Sequence, residues 1–93
     1  MTRPQCDKKI GYCPSWKGFK PFGGEAHGKG IVEITKAEVE SLRLKNIEEL
    51  DQTKAAEEMG ISQSTFQRLL ASSYKKVSEA LVEGKELVIV EDK

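Results

Sequence analysis

The sequence predicts a mainly α-helical fold: a three-helix domain containing a helix-turn-helix, with an irregular N-terminal arm and a short two-stranded β element. Three observations support this prediction. All three prolines and six of the eight glycines lie in residues 1–30, helix-capping signals and apolar periodicity fill residues 35–84, and a short β-branched segment stands on each side of the helical region. We therefore divide the chain into an arm at 1–30 and a domain at 31–93.

Composition sets the broad class of the protein. With 93 residues and 38% hydrophobic content, the chain is expected to form one small domain with a modest core. Its sequence has no apolar run long enough to span a membrane, and its N-terminus lacks the apolar segment of a signal peptide. These features predict a cytoplasmic protein whose thiols stay reduced.

The net charge of zero conceals an alternation along the chain. Residues 1–30 carry six bases and two acids, and residues 52–76 carry four bases and two acids, whereas residues 31–51 and 77–93 are acidic. A nucleic-acid-binding protein needs basic surface somewhere, and its total charge need not be basic. Either basic segment could supply that surface.

The first two helices are predicted from their capping residues. Residues 31–34 alternate and are β-branched, which predicts a short strand. Thr35 and Glu38 then form a capping box that begins a helix over 36–46, with Val39 and Leu42 facing the core. Asp51 is the N-cap of the second helix, which ends at Gly60 because glycine accepts a positive φ.

The third helix is predicted at about 62–82, with Ser62 as its N-cap and Gly84 after its end. Its apolar residues recur at helical spacing and form one continuous stripe. The stripe consists of Phe66, Leu69, Leu70, Ser73, Val77, Ala80 and Leu81. A second strand is predicted at about 86–90.

The second and third helices fit the pattern of a helix-turn-helix. Such a unit needs a small residue where the helices touch, a residue that tolerates positive φ in the turn, and apolar residues at fixed offsets. Ala56 is the small contact residue and Gly60 occupies the turn. The apolar positions are Ala55, Met59, Ile61, Phe66 and Leu69. A plain helical hairpin with a solvated polar face is the alternative.

The polar side chains of the third helix are those that suit a recognition helix in the major groove. Gln and Arg can make bidentate contacts to adenine and guanine, and short hydroxyl side chains and lysines can bind phosphates. We therefore expect Gln63, Ser64, Gln67 and Arg68 to read bases, and Ser62, Thr65, Lys75 and Lys76 to hold phosphates. No acid interrupts residues 62–76.

The chain also resembles a known family in four blocks of the domain and in its leading segment. The matching residues are Glu40–Leu44 (ESLRL), 55–62 (AAEEMGIS), 64–68 (STFQR) and 80–85 (ALVEGK), with RP at 3–4 and FKPFG at 19–23. They resemble a small uncharacterised prokaryotic family of predicted DNA-binding proteins, whose helix-turn-helix is similar to region 4 of sigma-70-type factors. The resemblance implies a role in transcription. Members often carry Arg where this chain has Gln63.

The arm contains the residues that could bind a metal. Cys6 and Cys13 are seven positions apart, and His27 follows them. Cys and His ligate zinc, but this spacing matches no strong zinc motif, so free thiols are the main expectation and a redox or disulfide role is another. The aromatic residues Trp16, Phe19 and Phe22 stand beside lysines and either stack on bases or anchor the arm.

These observations lead to one main functional hypothesis and two alternatives. We expect sequence-specific binding of double-stranded DNA by a transcriptional regulator that forms a homodimer and needs no cofactor. The strands at 31–34 and 86–90 could pair within one chain or across the two-fold axis of that dimer. The alternatives are a protein-interaction module that docks on the transcription machinery and a metal-responsive regulator. We expect no enzyme, since the sequence shows no catalytic triad, paired carboxylates or phosphate-binding loop.

Overall fold

The computed structural model describes residues 16–23 and 30–92, and its architecture is mainly helical. In chain order, the elements are β1 (Gly18–Phe19), β2 (Ile31–Thr35), α1 (Lys36–Leu42), a π-helical segment (Arg43–Ile47), α2 (Gln52–Met59), α3 (Gln63–Glu83) and β3 (Glu86–Val90). Within this described part, no helix is both long and apolar enough to cross a membrane.

The sheet has three strands, and the predicted two-stranded element is therefore corrected. β3 lies in the centre, with β1 antiparallel on one side and β2 parallel on the other. β1 falls in the segment that was expected to be irregular, and it pairs Gly18 with Val88 and Phe19 with Leu87. Position 18 requires glycine, since a Cβ there would collide with the carbonyl oxygen of Leu87. This strand depends on a partner at the other end of the chain, which local sequence does not reveal.

The two predicted strands flanking the helices pair within one chain. β2 and β3 run parallel, with Ile31 opposite Glu86 at one end and Thr35 opposite Val90 at the other. A parallel pair needs a long crossover connection, and here the whole helical region provides it. The buried face of β2 contributes Ile34, which is almost inaccessible to solvent. The pairing of β2 with β3 therefore holds the two ends of the helical region close together.

The capping box at the start of α1 is confirmed, but the predicted helix over 36–46 changes type. The Thr35 hydroxyl accepts from the Glu38 N–H at 3.2 Å, and the Glu38 carboxylate accepts from the Thr35 N–H at 2.9 Å. From Arg43 the backbone is π-helical, with the Glu48 N–H donating to the Arg43 carbonyl at 2.9 Å. Leu44, inside this segment, is buried in the core.

The caps of α2 and α3 are confirmed. Asp51 accepts from the Lys54 N–H at 2.8 Å, and α2 ends at Gly60, whose φ is 70°. Ser62 caps α3, which runs to Glu83 and ends at Gly84, in the left-handed conformation like Gly60. The predicted boundaries of this helix are correct to within one residue.

The core packs α2 against the N-terminal half of α3 and against the π-helical segment. Phe66 is completely buried at its centre. The buried members of this core cluster are Leu44, Ala55, Ala56, Met59, Phe66 and Leu70. Leu81 was predicted on the same apolar stripe but is 79% exposed, because this part of α3 faces an open cleft.

Glu38 joins α1 to α3 through a buried polar cluster. Its side chain is 7% exposed, and its carboxylate forms an ion pair with Lys76 at 2.6 Å and accepts a hydrogen bond from the Ser72 hydroxyl. Its carbonyl oxygen lies 2.6 Å from the hydroxyl of Ser41 and 2.9 Å from that of Ser73. Buried polar groups are tolerated only when they are paired in this way, so the cluster fixes the position of α3 along α1.

The pKa of Glu38 lies below its ordinary value. Burial acts to raise this pKa, but the hydrogen bonds from Lys76, Ser72 and the Thr35 N–H, together with the positive charge of Lys76, outweigh it. A depressed pKa in the folded state means that ionised Glu38 stabilises the protein above the ordinary glutamate pKa. This contribution is lost as the pH falls through the folded-state pKa.

We predict that Glu38→Gln lowers the free energy of unfolding at pH 7 by about 1–3 kcal/mol, because a charged hydrogen-bonding group is lost. The difference from the wild type should shrink as the pH falls to about 3, below the ordinary glutamate pKa of about 4.3, because the unfolded wild-type chain then takes up a proton that the folded carboxylate resists. Urea unfolding at the two pH values measures this. Glu33→Gln, at an exposed strand position, is the matched control and should unfold like the wild type. Equal stability of Glu38→Gln and the wild type at pH 7 would contradict the role of the cluster.

Candidate functional site

The candidate site is the outer side of the N-terminal half of α3. The side chains of Gln63, Ser64, Gln67 and Arg68 are all exposed. With 3.6 residues per turn, Ser64, Arg68 and Lys75 lie along one side of the helix, and Gln63 and Gln67 lie beside them. The structure thus brings together the predicted base-reading residues and Lys75 on one surface, which we call the α3 face.

Hydroxyl groups gather at the beginning of α3. The Ser62 hydroxyl accepts from the Thr65 N–H at 3.2 Å, and it lies 2.8 Å from the Thr65 hydroxyl and 3.3 Å from that of Ser64. Ser62 is exposed and Thr65 is half-buried. The first backbone N–H groups of a helix and its dipole favour an anion, so this end of the α3 face is suited to a phosphate.

Two residues of α2 adjoin the α3 face and were not among the predicted site residues. The Gln67 side-chain amide donates to the side-chain oxygen of Gln52 at 2.7 Å, and the Thr53 hydroxyl donates to the side-chain oxygen of Gln63 at 3.4 Å. These bonds orient the two glutamines of α3. Their position could have been inferred from the sequence, because Gln52 and Thr53 directly follow the N-cap Asp51 and so occupy the first turn of α2.

The positive charges of the α3 face are accessible. Arg68 and Lys75 are both exposed, and within residues 16–23 and 30–92 neither forms an ion pair. The first acid on α3 is Glu79, one turn beyond Lys75. Arg68 therefore has no acidic residue near it on α3, whereas Lys75 lies close enough to Glu79 to help lower the pKa of that carboxyl.

Lys76 differs from its neighbour Lys75. Its ammonium is held by Glu38 at 2.6 Å, and only 29% of its side chain is exposed. The expectation that Lys76 holds a phosphate stays a prediction, but the contact with Glu38 favours a structural role for this residue instead.

The three candidate metal ligands, Cys6, Cys13 and His27, lie outside the described residues. Among the residues that are described, no group of three or more His, Cys, Asp or Glu side chains is arranged to hold a metal ion. The hypothesis of a metal-responsive regulator therefore stays a prediction.

Comparison with known proteins identifies the family. A family model described as "Protein of unknown function DUF134" matches residues 1–92. The chain belongs to this family. No solved structure matches the chain.

The relatives in this family carry the name UPF0251 protein. The chain is 40% identical over 87 residues to one from Halothermothrix orenii, covering 94% of the chain and 64% of the relative. It is 42% identical over 85 residues to one from Desulforudis audaxviator, covering 91% of the chain and 56% of the relative. The match to a Vibrio vulnificus protein is 38% identical over 89 residues and covers 96% of the chain and 89% of the relative. The chain thus spans less than two thirds of the first two relatives.

We predict that Ser62→Ala lowers the free energy of unfolding by about 1 kcal/mol, because the N-cap acceptor of α3 is lost. Ser62→Asp should keep wild-type stability, since aspartate accepts the same hydrogen bond and its charge suits the helix N-terminus. Urea unfolding of the two variants measures this difference. Equal destabilisation by alanine and aspartate would contradict the capping role.

Proposed function

We propose that this protein binds double-stranded DNA sequence-specifically through the α3 face and acts as a transcriptional regulator. In this proposal α2 and α3 form a helix-turn-helix of the kind found in region 4 of sigma-70-type factors, with α3 as the recognition helix. The observation that carries the proposal is the exposed α3 face, which has no acid from residue 62 to residue 76 and lies on a helix packed against α2.

The packing of α2 and α3 supports this proposal. The two helices are joined by three residues with Gly60 in the left-handed conformation, and Ala56 and Phe66 are buried between them. This is the arrangement by which a helix-turn-helix fixes its recognition helix across its partner. The plain helical hairpin would have the same packing, but it does not account for the charge and residue types of the α3 face.

The dimensions of the α3 face suit the major groove. From Ser64 to Lys75 the helix advances about 16 Å at 1.5 Å per residue. The major groove is about 12 Å wide and accepts an α-helix whose first turns contact base edges. With the N-terminal turns in the groove, Lys75 reaches the phosphates at its edge.

Each residue of the α3 face has a role in the proposal. Gln63, Ser64, Gln67 and Arg68 contact base edges. Ser62, Thr65 and Lys75 hold phosphates, and Gln52 and Thr53 orient the two glutamines through the hydrogen bonds described above. Because operators of such proteins are commonly palindromic, we include a homodimer in the proposal.

We predict that Arg68→Ala weakens binding to a selected duplex and relaxes the preference at one base position by about 1–3 kcal/mol, the contribution of a bidentate contact to guanine. Fluorescence anisotropy on the selected duplex and on its single-base variants measures both effects. Lys85→Ala is the control, because it removes one positive charge after the far end of α3 and should leave the preference unchanged. Retention of affinity and preference by Arg68→Ala would contradict the assignment of the α3 face.

We predict that Lys75→Ala weakens binding to all duplexes alike and makes the slope of log affinity against log salt shallower by about 0.9, the value for one lost phosphate contact. Lys76→Met, which removes the neighbouring charge, should instead lower stability and leave the slope nearly unchanged, because Glu38 already engages Lys76. Anisotropy titrations at several salt concentrations distinguish the two lysines. An unchanged slope for Lys75→Ala would exclude a phosphate contact there.

A further inference from the structure

An apolar cleft opens on the side of the molecule where the sheet meets α1 and the C-terminal half of α3. Its volume is about 760 Å³, which lies within the range of about 300–1,000 Å³ for small-molecule sites. Ile34, Leu87 and Ile89 from the sheet line the cleft on one side, and Val77 and Leu81 line it from α3. The cleft is separate from the α3 face, because Val77, Ala80 and Leu81 lie on the side of the helix away from Arg68 and Lys75.

Large apolar side chains stand exposed around the opening of the cleft. Trp16 is 49% exposed, Phe19 60%, Ile47 74% and Leu81 79%. Exposed apolar side chains that cluster around a cleft are typical of a binding surface.

The charges of the cleft favour an anion. Among the described residues that line it, the charged ones are Lys20, Arg43 and Lys85, and none is a carboxylate. Arg43 is paired with Glu40 and Glu48, and Lys85 with Glu79 and Glu83. Lys20 is exposed and forms no ion pair in the part of the chain that the structure describes. Its ammonium is thus available to a ligand.

The π-helical segment forms part of the cleft wall through Arg43, Asn46 and Ile47. π-helical turns are rare, and they occur frequently at functional sites. This irregularity in the helical region therefore coincides with the cleft.

We propose that this cleft binds a small ligand with an apolar body and one anionic group, of the chemical class of a medium- or long-chain carboxylate. The apolar body packs against the sheet and Leu81, and the anion is held by Lys20. This inference goes beyond DNA binding. Where the proposed function holds, the ligand contacts the same helix that carries the α3 face, which provides a route for regulation.

Trp16 offers a direct test, because it is the only tryptophan of the chain and lines the cleft. Dodecanoate, added below its micelle concentration, should change the tryptophan fluorescence saturably. Decanoate should bind roughly tenfold more weakly, since two methylenes fewer are buried. Dodecyltrimethylammonium, with the same tail and the opposite charge, should also bind more weakly than dodecanoate.

Two matched pairs of variants locate the site. Leu81→Glu should weaken dodecanoate binding at least tenfold, whereas Val82→Glu should bind like the wild type, because Val82 is 82% exposed but does not line the cleft. Lys20→Ala should reduce the preference for the anionic over the cationic probe, and Lys17→Ala should leave it unchanged. Both glutamate substitutions are at exposed positions, and circular dichroism checks that each variant folds.

Three results would overturn the proposal. One is the lack of a saturable response to dodecanoate, and another is an equal effect of Leu81→Glu and Val82→Glu. The third is a wild-type dimer in sedimentation velocity that Leu81→Glu converts to a monomer, which would assign the cleft to a second copy of the chain. None of these measurements includes DNA, so their outcome is independent of the proposed function.

Discussion

The arrangement of this protein depends on the position of α3, and Glu38 is the residue that fixes it. Its carboxylate completes the capping box of α1 and engages Lys76 and Ser72 of α3, while its carbonyl oxygen receives two buried hydroxyl groups. A buried carboxylate is costly unless it is paired, so few other positions of α3 along α1 would satisfy it. The parallel pairing of β2 with β3 then fixes the end of the chain that leaves α3.

Fixing one long helix gives the protein two separate surfaces. The N-terminal half of α3 packs on α2 through Phe66 and presents polar and basic side chains outward. The C-terminal half extends beyond α2, packs towards the sheet and leaves Leu81 exposed at an apolar cleft. Because a helix is stiff along its axis, a ligand in the cleft and a duplex at the α3 face would act on one rigid element. This is the physical basis on which the two proposals are connected.

The helical boundaries could be predicted from the sequence because their signals are local. Thr35, Asp51 and Ser62 cap within three residues, and Gly60 and Gly84 end helices by their own backbone conformation. The exposed glutamines and Arg68 follow from the period of α3. The features that the sequence does not reveal depend on distant partners. β1 needs β3, the π-helical segment carries a side chain buried against α2, and the ion pair of Lys76 joins it to Glu38, far away in sequence. The apolar cleft could not be predicted, because it exists only between elements.

The central claim is that the α3 face recognises a duplex sequence, and selection of binding sites from a random duplex library at two salt concentrations tests it most directly. Our account predicts an enriched motif that survives the higher salt, since base contacts persist when phosphate attraction is screened. A palindromic motif would support the homodimer, and its half-site spacing would give the distance between the two recognition helices. If no motif emerges and retention disappears with salt, the claim is contradicted, and the search would turn to a protein partner in the transcription machinery.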